Sequence, residues 1–126
     1  MKKILIIYSD YYPDISKGLV TNAVNYLKKD FNIYKLKVPG CYEIPISIIK
    51  RIKKFDGFIA LGCIIQGETA HFHFISQSIN NALMKIMIDK KKPIGNGILT
   101  CVNKQQAKKR FKKGIEAAIA VKMLIS

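Results

Sequence analysis

The sequence predicts an α/β protein: a three-layer αβα sandwich around a four-stranded parallel sheet, of the flavodoxin-like kind. Short apolar runs alternate with longer segments of helical period along the whole chain. The third run, FDGFIALGCII, is almost uniformly apolar, which is typical of a central strand covered by helices on both faces. No linker, repeat or low-complexity stretch interrupts the alternation, so we expect one domain over residues 1–126.

The first half of the chain predicts two strands and two helices. KKILIIYSD is a short apolar run closed by turn formers, which indicates a buried first strand. A helix is expected over about residues 16–29, because apolar side chains recur there at helical spacing (Val20, Ala23, Val24 and Leu27). FNIYKLKV alternates and predicts the second strand. PGCYEIP predicts a loop that leads into a short helix with Pro45 in its first turn and an isoleucine face (Ile48, Ile49 and Ile52).

The second half predicts a long helix, a fourth strand and a final helical region. The long helix is expected over about residues 70–90, with an apolar face of Phe72, Ile75, Ile79, Leu83 and Ile86. KKPIGNGILTC predicts the fourth strand, and its two glycines suggest that another backbone approaches closely. From residue 104 the helical region carries one apolar stripe (Ala107, Phe111, Ala118, Val121 and Ile125). Its last two helices are expected to continue with at most a mild bend, since a lone glycine inside a helix costs about 1 kcal/mol.

The chain is strongly basic, with 22 Lys and Arg against 8 Asp and Glu and a net charge of +14. Such a charge suggests a nucleic-acid partner. Base and phosphate readers, however, favour the bidentate guanidinium, and Arg51 and Arg110 are the only arginines. The lysines are scattered along the sequence. A general compositional bias toward Lys and Ile explains why both lysine and isoleucine are so frequent. We therefore expect solvated lysine faces, no specific nucleic acid, and only weak, salt-sensitive, sequence-blind binding to DNA.

The cysteines and the apolar runs indicate the cellular compartment of the protein. Cys41, Cys63 and Cys101 are widely spaced and form no C-x-x-C pair, so we expect free thiols, no disulfide and no structural zinc. The apolar run near the start covers only residues 4–8 and is followed by Asp10, which is too short for a secretory signal. No run is long enough to span a membrane. A cytoplasmic protein without a membrane partner is the expectation.

Polar residues crowd the joint after the third strand, in LGCIIQGETAHFHF at residues 61–74. If a helix begins there, the backbone N–H groups of Gly67, Glu68 and Thr69 form an anion site at its N-terminus, although Thr69 could equally be a simple helix cap. His71 would lie in the first turn, where it could shuttle a proton or serve only a structural role. His73 lies two residues on and points elsewhere, whereas a zinc pair needs i, i+4 spacing, so we predict no metal site.

Two further strand-end loops carry candidate binding groups. In VPGCYEIP, Gly40 permits a tight turn, and Glu43 could accept hydrogen bonds from a polyol or merely stabilise the start of the next helix. In SDYYPD, two adjacent tyrosines could stack on a flat ring or simply pack. Ligands of open parallel sheets bind at the carboxyl ends of the strands, which is where these loops lie.

Four stretches in order, SDYYPDIS, VPGCYEIPISI, LGCIIQGETAHF and PIGNGILT, resemble the 6,7-dimethyl-8-ribityllumazine synthase family. The most specific parts are the G-x-x-E-I-P loop and the G-[ET]-x-H joint. The resemblance implies a condensation of 5-amino-6-(ribitylamino)uracil with 3,4-dihydroxy-2-butanone 4-phosphate that releases phosphate and water. It implies no metal or organic cofactor, and it implies a homo-oligomer, a pentamer, with active sites shared between neighbouring subunits.

The resemblance also implies roles for individual residues. Tyr11 would stack on the pyrimidine, and His71 would transfer protons. The ring and ribityl chain would be held by Cys41, Tyr42, Glu43 and Ile44. The edge of the ring would be lined by Cys63, Ile64 and Ile65. The phosphate would be cradled by Gly67, Glu68 and Thr69. A neighbouring subunit would contribute Asn96, Arg110 and Lys113, with the Arg110 guanidinium as the phosphate clamp.

The sequence departs from the family pattern in places. Asn96 stands where many relatives carry Phe, Gln66 replaces a frequent Arg, and only three residues separate Arg110 from Gly114. The short segment, together with a first strand that begins near Met1, favours an isolated pentamer over a capsid. Two alternatives with the same fold stay open: a riboflavin synthase of the related archaeal type, and a non-catalytic lumazine- or flavin-binding protein. Arg110 and His71 favour the synthase.

Overall fold

A computed structural model describes residues 1–68 and 70–125 of the chain. Strands and helices alternate through most of it. The strands are β1 (Lys3–Ser9), β2 (Asn32–Val38), β3 (Gly57–Ile65) and β4 (Ile94–Cys101). The helices are α1 (Pro13–Leu27), α2 (Ile44–Lys50), α3 (Phe72–Lys90), α4 (Lys104–Lys108) and α5 (Lys113–Ile125). Two short 3-10 turns, Cys41–Glu43 and Gln66–Glu68, precede α2 and α3.

The strands form one parallel sheet in the order β2-β1-β3-β4. Helices cover both faces, so the predicted three-layer sandwich with a four-stranded parallel sheet is confirmed. β3 is buried along its whole length, as its apolar run predicted. β2 is an outer strand whose residues are exposed or part-buried except for the buried Val38 at its end.

Two separate cores lie on the two faces of the sheet. One lies under α1, α4 and α5, and α1 contributes Ile15, Leu19, Ala23 and Leu27 to it. The other lies under α2 and α3, with Ile44, Ile48, Ile79 and Leu83 as its helical members. The buried stripe of α1 therefore begins nearer the N-terminus of the helix than predicted, at Ile15 and Leu19. Val20 and Val24 are only partly buried, and the helix begins at Pro13, whose fixed φ suits a first helical position.

The glycines of β4 allow α5 to approach closely, as predicted. A Cβ at Gly95 would overlap the Ala117 carbonyl oxygen of α5 and lie 2.8 Å from Val121 Cγ2. A Cβ at Gly97 would lie 3.2 Å from the Cβ of Ala117. Small residues at these positions therefore set the distance between the edge strand and its covering helix.

The expectation that the last two helices run on with at most a mild bend is wrong. α4 is capped by Asn103, whose side-chain oxygen accepts from the Gln106 N–H at 2.9 Å, and it ends at Lys108. The chain then leaves the helical path over residues 109–112. There the Phe111 ring packs against Gly18 of α1, and the Asn22 side chain donates to the Phe111 carbonyl at 2.9 Å. Capture of this carbonyl by α1 favours the break.

The described residues include no helix long and apolar enough to cross a membrane. Cys41, Cys63 and Cys101 are free and buried, which confirms the prediction of unpaired thiols.

Candidate active site

A cavity of about 280 Å³ opens at the carboxyl ends of β1 and β3, beside the loop that follows β2. Because the strands are parallel, the turns that leave them meet at one edge of the sheet. Eight of the predicted site residues line the cavity: Tyr11, Cys41, Tyr42, Glu43, Cys63, Ile64, Ile65 and Glu68. Four further residues complete its lining: Ser9, Tyr12, Gly40 and Ile75.

The floor of the cavity is apolar and carries two buried thiols. Burial raises the pKa of Cys41 to about 11, although a hydrogen bond with Ser9 acts in the opposite direction. Burial also raises the pKa of Cys63 to about 12, and the neighbouring Cys101 adds to the shift. Thiolates are the nucleophilic form of cysteine, so both thiols are inert at neutral pH. They act as small apolar groups that shape the floor.

Two adjacent tyrosines form one wall. Tyr11 is 64% exposed, and its ring centroid lies 4.8 Å from that of Tyr12 in an edge-on contact. The Tyr11 backbone N–H donates to Ser9 Oγ at 3.3 Å, which fixes the turn at the end of β1. The exposed ring leaves a face on which a flat ligand could stack.

Tyr12 is part-buried and lines the cavity, although the family resemblance assigned a role only to its neighbour Tyr11. The Lys104 ammonium lies 5.3 Å from its ring centroid, so the ring is held between α4 and Tyr11. Burial, followed by the nearby Glu68 carboxylate, raises the pKa of Tyr12 to about 12. The phenol is therefore protonated at neutral pH and can donate a hydrogen bond into the cavity. The adjacent aromatic pair in SDYYPD was its signal.

The loop after β2 forms the opposite wall. The Gly40 backbone N–H donates to Glu43 Oε1 at 2.9 Å, and Ser47 Oγ donates to the Glu43 carbonyl at 2.7 Å. These bonds hold the Glu43 carboxylate at the cavity. Tyr42 is exposed beside it, whereas the side chain of Ile44 is fully buried in the core under α2 and does not line the cavity.

The joint after β3 differs from the prediction. Gly67 and Glu68 lie in the 3-10 turn Gln66–Glu68, Thr69 lies outside the described residues, and α3 begins only at Phe72. His71 has φ −109° and ψ 28°, which is not helical, and the first α-type bond runs from the Ile75 N–H to the His71 carbonyl at 2.9 Å. Placing Gly67 and Glu68 at the N-terminus of this helix was therefore wrong, because a separate tight turn intervenes. His71 is exposed, lies at the residue just before α3 rather than in its first turn, and does not line the cavity.

Arg110 and Lys113 line a second cavity, of about 410 Å³, against the outer strand β4. Its lining is predominantly cationic: Lys109, Arg110, Lys112 and Lys113 against the single carboxylate of Glu116. The remaining lining residues are Ile98, Leu99 and Thr100. The two cavities share no lining residue, so a single subunit does not bring Arg110 and Tyr11 to the same cavity.

Asn96 lies on the exposed part of β4 and lines neither cavity. Its amide donates to Asn80 Oδ1 at 2.8 Å, and its own Oδ1 accepts from the Ile98 N–H at 3.0 Å. Its carboxamide is thus fixed in orientation, with polar atoms on the outer side of the sheet.

The sequence matches known proteins along its whole length. The sequence model of the 6,7-dimethyl-8-ribityllumazine synthase family matches residues 1–126. A relative with that name from Buchnera aphidicola is 41% identical, and the match covers 99% of this chain and 86% of the relative. Those from Bartonella bacilliformis and Bartonella henselae are 40% and 43% identical over 88% and 87% of this chain, and over 76% and 74% of their own. The chain therefore belongs to the 6,7-dimethyl-8-ribityllumazine synthase family.

Proposed function

We propose that the chain condenses 5-amino-6-(ribitylamino)uracil with 3,4-dihydroxy-2-butanone 4-phosphate to 6,7-dimethyl-8-ribityllumazine, with release of phosphate and water. The observation that carries this proposal is membership of the synthase family along the whole chain. The relatives named above are all synthases, and nothing favours the riboflavin synthase or the non-catalytic alternative. Mixing the purified protein with both substrates tests the proposal: the lumazine chromophore should appear together with inorganic phosphate.

The first cavity suits the pyrimidine and its ribityl chain. The exposed Tyr11 ring offers a stacking face, and the edge of the ligand ring would lie over the apolar floor of Cys63, Ile64 and Ile65. The Glu43 carboxylate accepts hydrogen bonds, which is what a polyol chain offers. The neutral phenol of Tyr12 adds a donor on the other side. These contacts would orient the amine of the uracil toward the opening of the cavity.

The reaction depends mainly on the positioning of the two substrates and on proton transfer. The amine adds to the ketone and loses water to give an imine, elimination of phosphate leaves a new carbonyl, and the second amine attacks that carbonyl and loses a second water as the ring closes. Holding two substrates in reacting geometry can supply about 7–11 kcal/mol in ideal cases. His71, at the turn between β3 and α3, is the proposed proton carrier. Phosphate would bind at the turn that contains Gly67 and Glu68, with Thr69 as the third contact that the family resemblance implies.

We propose that a neighbouring subunit completes this site with Asn96, Arg110 and Lys113. The first cavity, at about 280 Å³, is slightly below the usual range of about 300–1,000 Å³ for small-molecule sites. The cations needed for a phosphate lie in the other cavity of the same chain. A second copy whose Arg110 lies against the Gly67 turn would supply both the missing wall of the cavity and a cation for the phosphate. Large exposed apolar side chains on α3, Phe74, Met84 and Ile88, are suited to a subunit contact.

The assembly is expected to be a pentamer. Its mass would be 5 × 14.3 kDa, or about 72 kDa, against about 860 kDa for a shell of sixty copies. A charge of +14 on every subunit opposes dense packing at low salt, which favours the smaller particle. Light scattering behind a sizing column separates the two masses, and a particle near the larger one would contradict this expectation.

His71→Ala is expected to slow turnover by about 10²-fold, at the lower end of the range for general acid–base catalysis, because water and the substrate amine can partly replace the imidazole. The shape of the pH–rate profile should change as well. His73→Ala is the matched control: like His71 it is exposed and does not line the cavity of a single chain, but it lies inside α3 with its ring against Phe72. Equal rates and superimposable pH profiles for wild type and His71→Ala would exclude His71 as the proton carrier.

A further inference from the structure

Lysine runs precede all four strands of the sheet. They lie at residues 2–3, 28–29, 53–54 and 90–92. In a fully parallel sheet all strands begin at the same edge, so runs that are scattered in sequence are gathered in space. Backbone hydrogen bonds join neighbouring strand entries: Asn32 N–H to Lys2 O at 3.0 Å, and Asp56 N–H to Lys3 O at 2.8 Å. We call these nine residues the strand-entry lysines.

Most of this charge is not neutralised within the fold. Among the strand-entry lysines, Lys3 lies 5.4 Å from the centroids of the Tyr34 and Phe55 rings, and Lys92 donates to the Phe55 carbonyl at 2.9 Å. All of them except Lys92 are exposed, and none of the nine forms an ion pair with a carboxylate of the described residues.

The carboxylates at this edge of the sheet have other partners. Asp30 pairs with Lys122 at 2.9 Å, and Asp56 accepts from the Lys3 backbone N–H at 2.8 Å. Immediately before the last lysine run, Asp89 pairs with Lys85 at 3.0 Å. The edge is therefore left with a large positive excess.

The fold tolerates this excess because three of the runs follow helix C-termini. α1, α2 and α3 end at or just before the runs that lead into β2, β3 and β4. The negative end of the helix dipole favours cations there. The lysines still repel one another, and an anion bound across the row would remove that repulsion.

We propose that the strand-entry lysines bind the phosphate backbone of duplex nucleic acid without reading its sequence. Four strands spaced about 4.8 Å apart spread the row over about 14 Å. Duplex DNA carries one negative charge per about 1.7 Å of axis, or about eight over that length, against eight exposed strand-entry lysines. A row of point charges fits a rod-shaped polyanion, and lysine suits backbone neutralisation where arginine suits base readout.

This surface lies at the end of the sheet opposite the candidate active site. The cavity of Tyr11 and Glu43 opens at the carboxyl ends of the strands, whereas the strand-entry lysines lie at their amino ends. Bound nucleic acid would therefore leave substrate access open. The proposal goes beyond the synthase function and stands independently of it.

The test compares two variants that carry the same charge change. Lys53→Glu/Lys54→Glu alters the entry of β3, and Lys17→Glu/Lys35→Glu alters exposed lysines of α1 and mid-β2. Binding to a short fluorescent DNA duplex would be measured by anisotropy between about 50 and 200 mM salt. The strand-entry variant should bind about tenfold or more weakly, and its salt slope should fall by about one for each phosphate that is no longer neutralised. The control variant should stay within about threefold of wild type.

Several results would overturn the proposal. The first is an equal loss of affinity in both variants, which would indicate an effect of net charge alone. The second is the absence of duplex binding by the wild type at the lowest salt. The third is binding to anionic lipid vesicles but not to duplex. Lys53→Gln/Lys54→Gln guards against misfolding of the charge-reversed chain and should also bind more weakly. Circular dichroism and particle mass should match wild type in every variant that is compared.

Discussion

Arg110→Ala is expected to lower kcat/KM for the butanone phosphate by about 10²–10⁴-fold, because a guanidinium can make two charge-assisted hydrogen bonds of about 1.5–3 kcal/mol each. Arg110 lies in the exposed segment between α4 and α5, where its backbone N–H donates to the Ala107 carbonyl at 3.0 Å. That bond does not involve the side chain, so the free energy of unfolding should change little. Steady-state kinetics with each substrate varied in turn checks the prediction.

Arg51→Ala is the matched control, since it removes the chain's other guanidinium at the far end of the sheet, where Arg51 donates to the Ser47 carbonyl at 3.1 Å. Arg110→Lys keeps the charge but not the fork geometry, and its activity should fall between wild type and Arg110→Ala. Unchanged turnover and unchanged KM in Arg110→Ala would remove Arg110 from the phosphate site.

Mixed oligomers decide whether the site is shared between subunits. Arg110→Ala and His71→Ala chains, each nearly inactive alone, would be unfolded, mixed and refolded together. If Arg110 reaches a neighbour's cavity, about one site in four receives both intact residues by random assembly, and activity returns. If both residues act within one chain, no site is complete and activity stays at the level of the single variants.

Gly95→Ala is expected to destabilise the fold by about 1–3 kcal/mol through overpacking. The added methyl group would overlap the Ala117 carbonyl and lie 2.8 Å from Val121 Cγ2, so α5 must move away from β4. A backbone atom cannot rotate aside as a side chain can. Urea unfolding of wild type and variant at one fixed protein concentration measures the effect, because assembly couples stability to concentration.

Gly67→Ala serves as the control for unfolding. A Cβ at Gly67 would meet only the Val102 carbonyl oxygen, at 3.6 Å, which is ordinary van der Waals contact. Its free energy of unfolding should stay within about 0.5 kcal/mol of wild type. If Gly95→Ala were no less stable than Gly67→Ala, β4 and α5 would not be in the close contact described.

Prediction succeeded where apolar pattern and topology act together. The uniform apolarity of β3 and the helical period of α3 predicted a buried central strand and a covering helix, and both are present. A parallel sheet then places the ends of β1, β2 and β3 side by side. The sequence could therefore group Tyr11 and Glu43 before any distance was known, and the family resemblance added Cys63. The structure brings all three to one cavity.

Prediction failed where a long-range contact overrides local preference. Helical propensity continues through residues 109–112, yet the contact of Phe111 with Gly18 and the bond from Asn22 favour a break there. The start of α3 was misplaced for a related reason, since a 3-10 turn satisfies the backbone of Gln66–Glu68 before the helix begins. Tyr12 became a wall of the cavity only through Lys104 and Tyr11, which pack against its ring.

The sequence by itself determined the layered architecture and the family, because apolar periodicity and ordered motifs are local properties of the chain. Only the tertiary structure decided how charges and cavities are distributed. It separated Arg110 from Tyr11 into two cavities, and it gathered lysines 2–3, 28–29, 53–54 and 90–92 at one edge of the sheet. Both outcomes depend on which residues distant in sequence become neighbours. That is set by strand order and by the closeness with which α5 packs on β4, and single-residue propensities do not encode it.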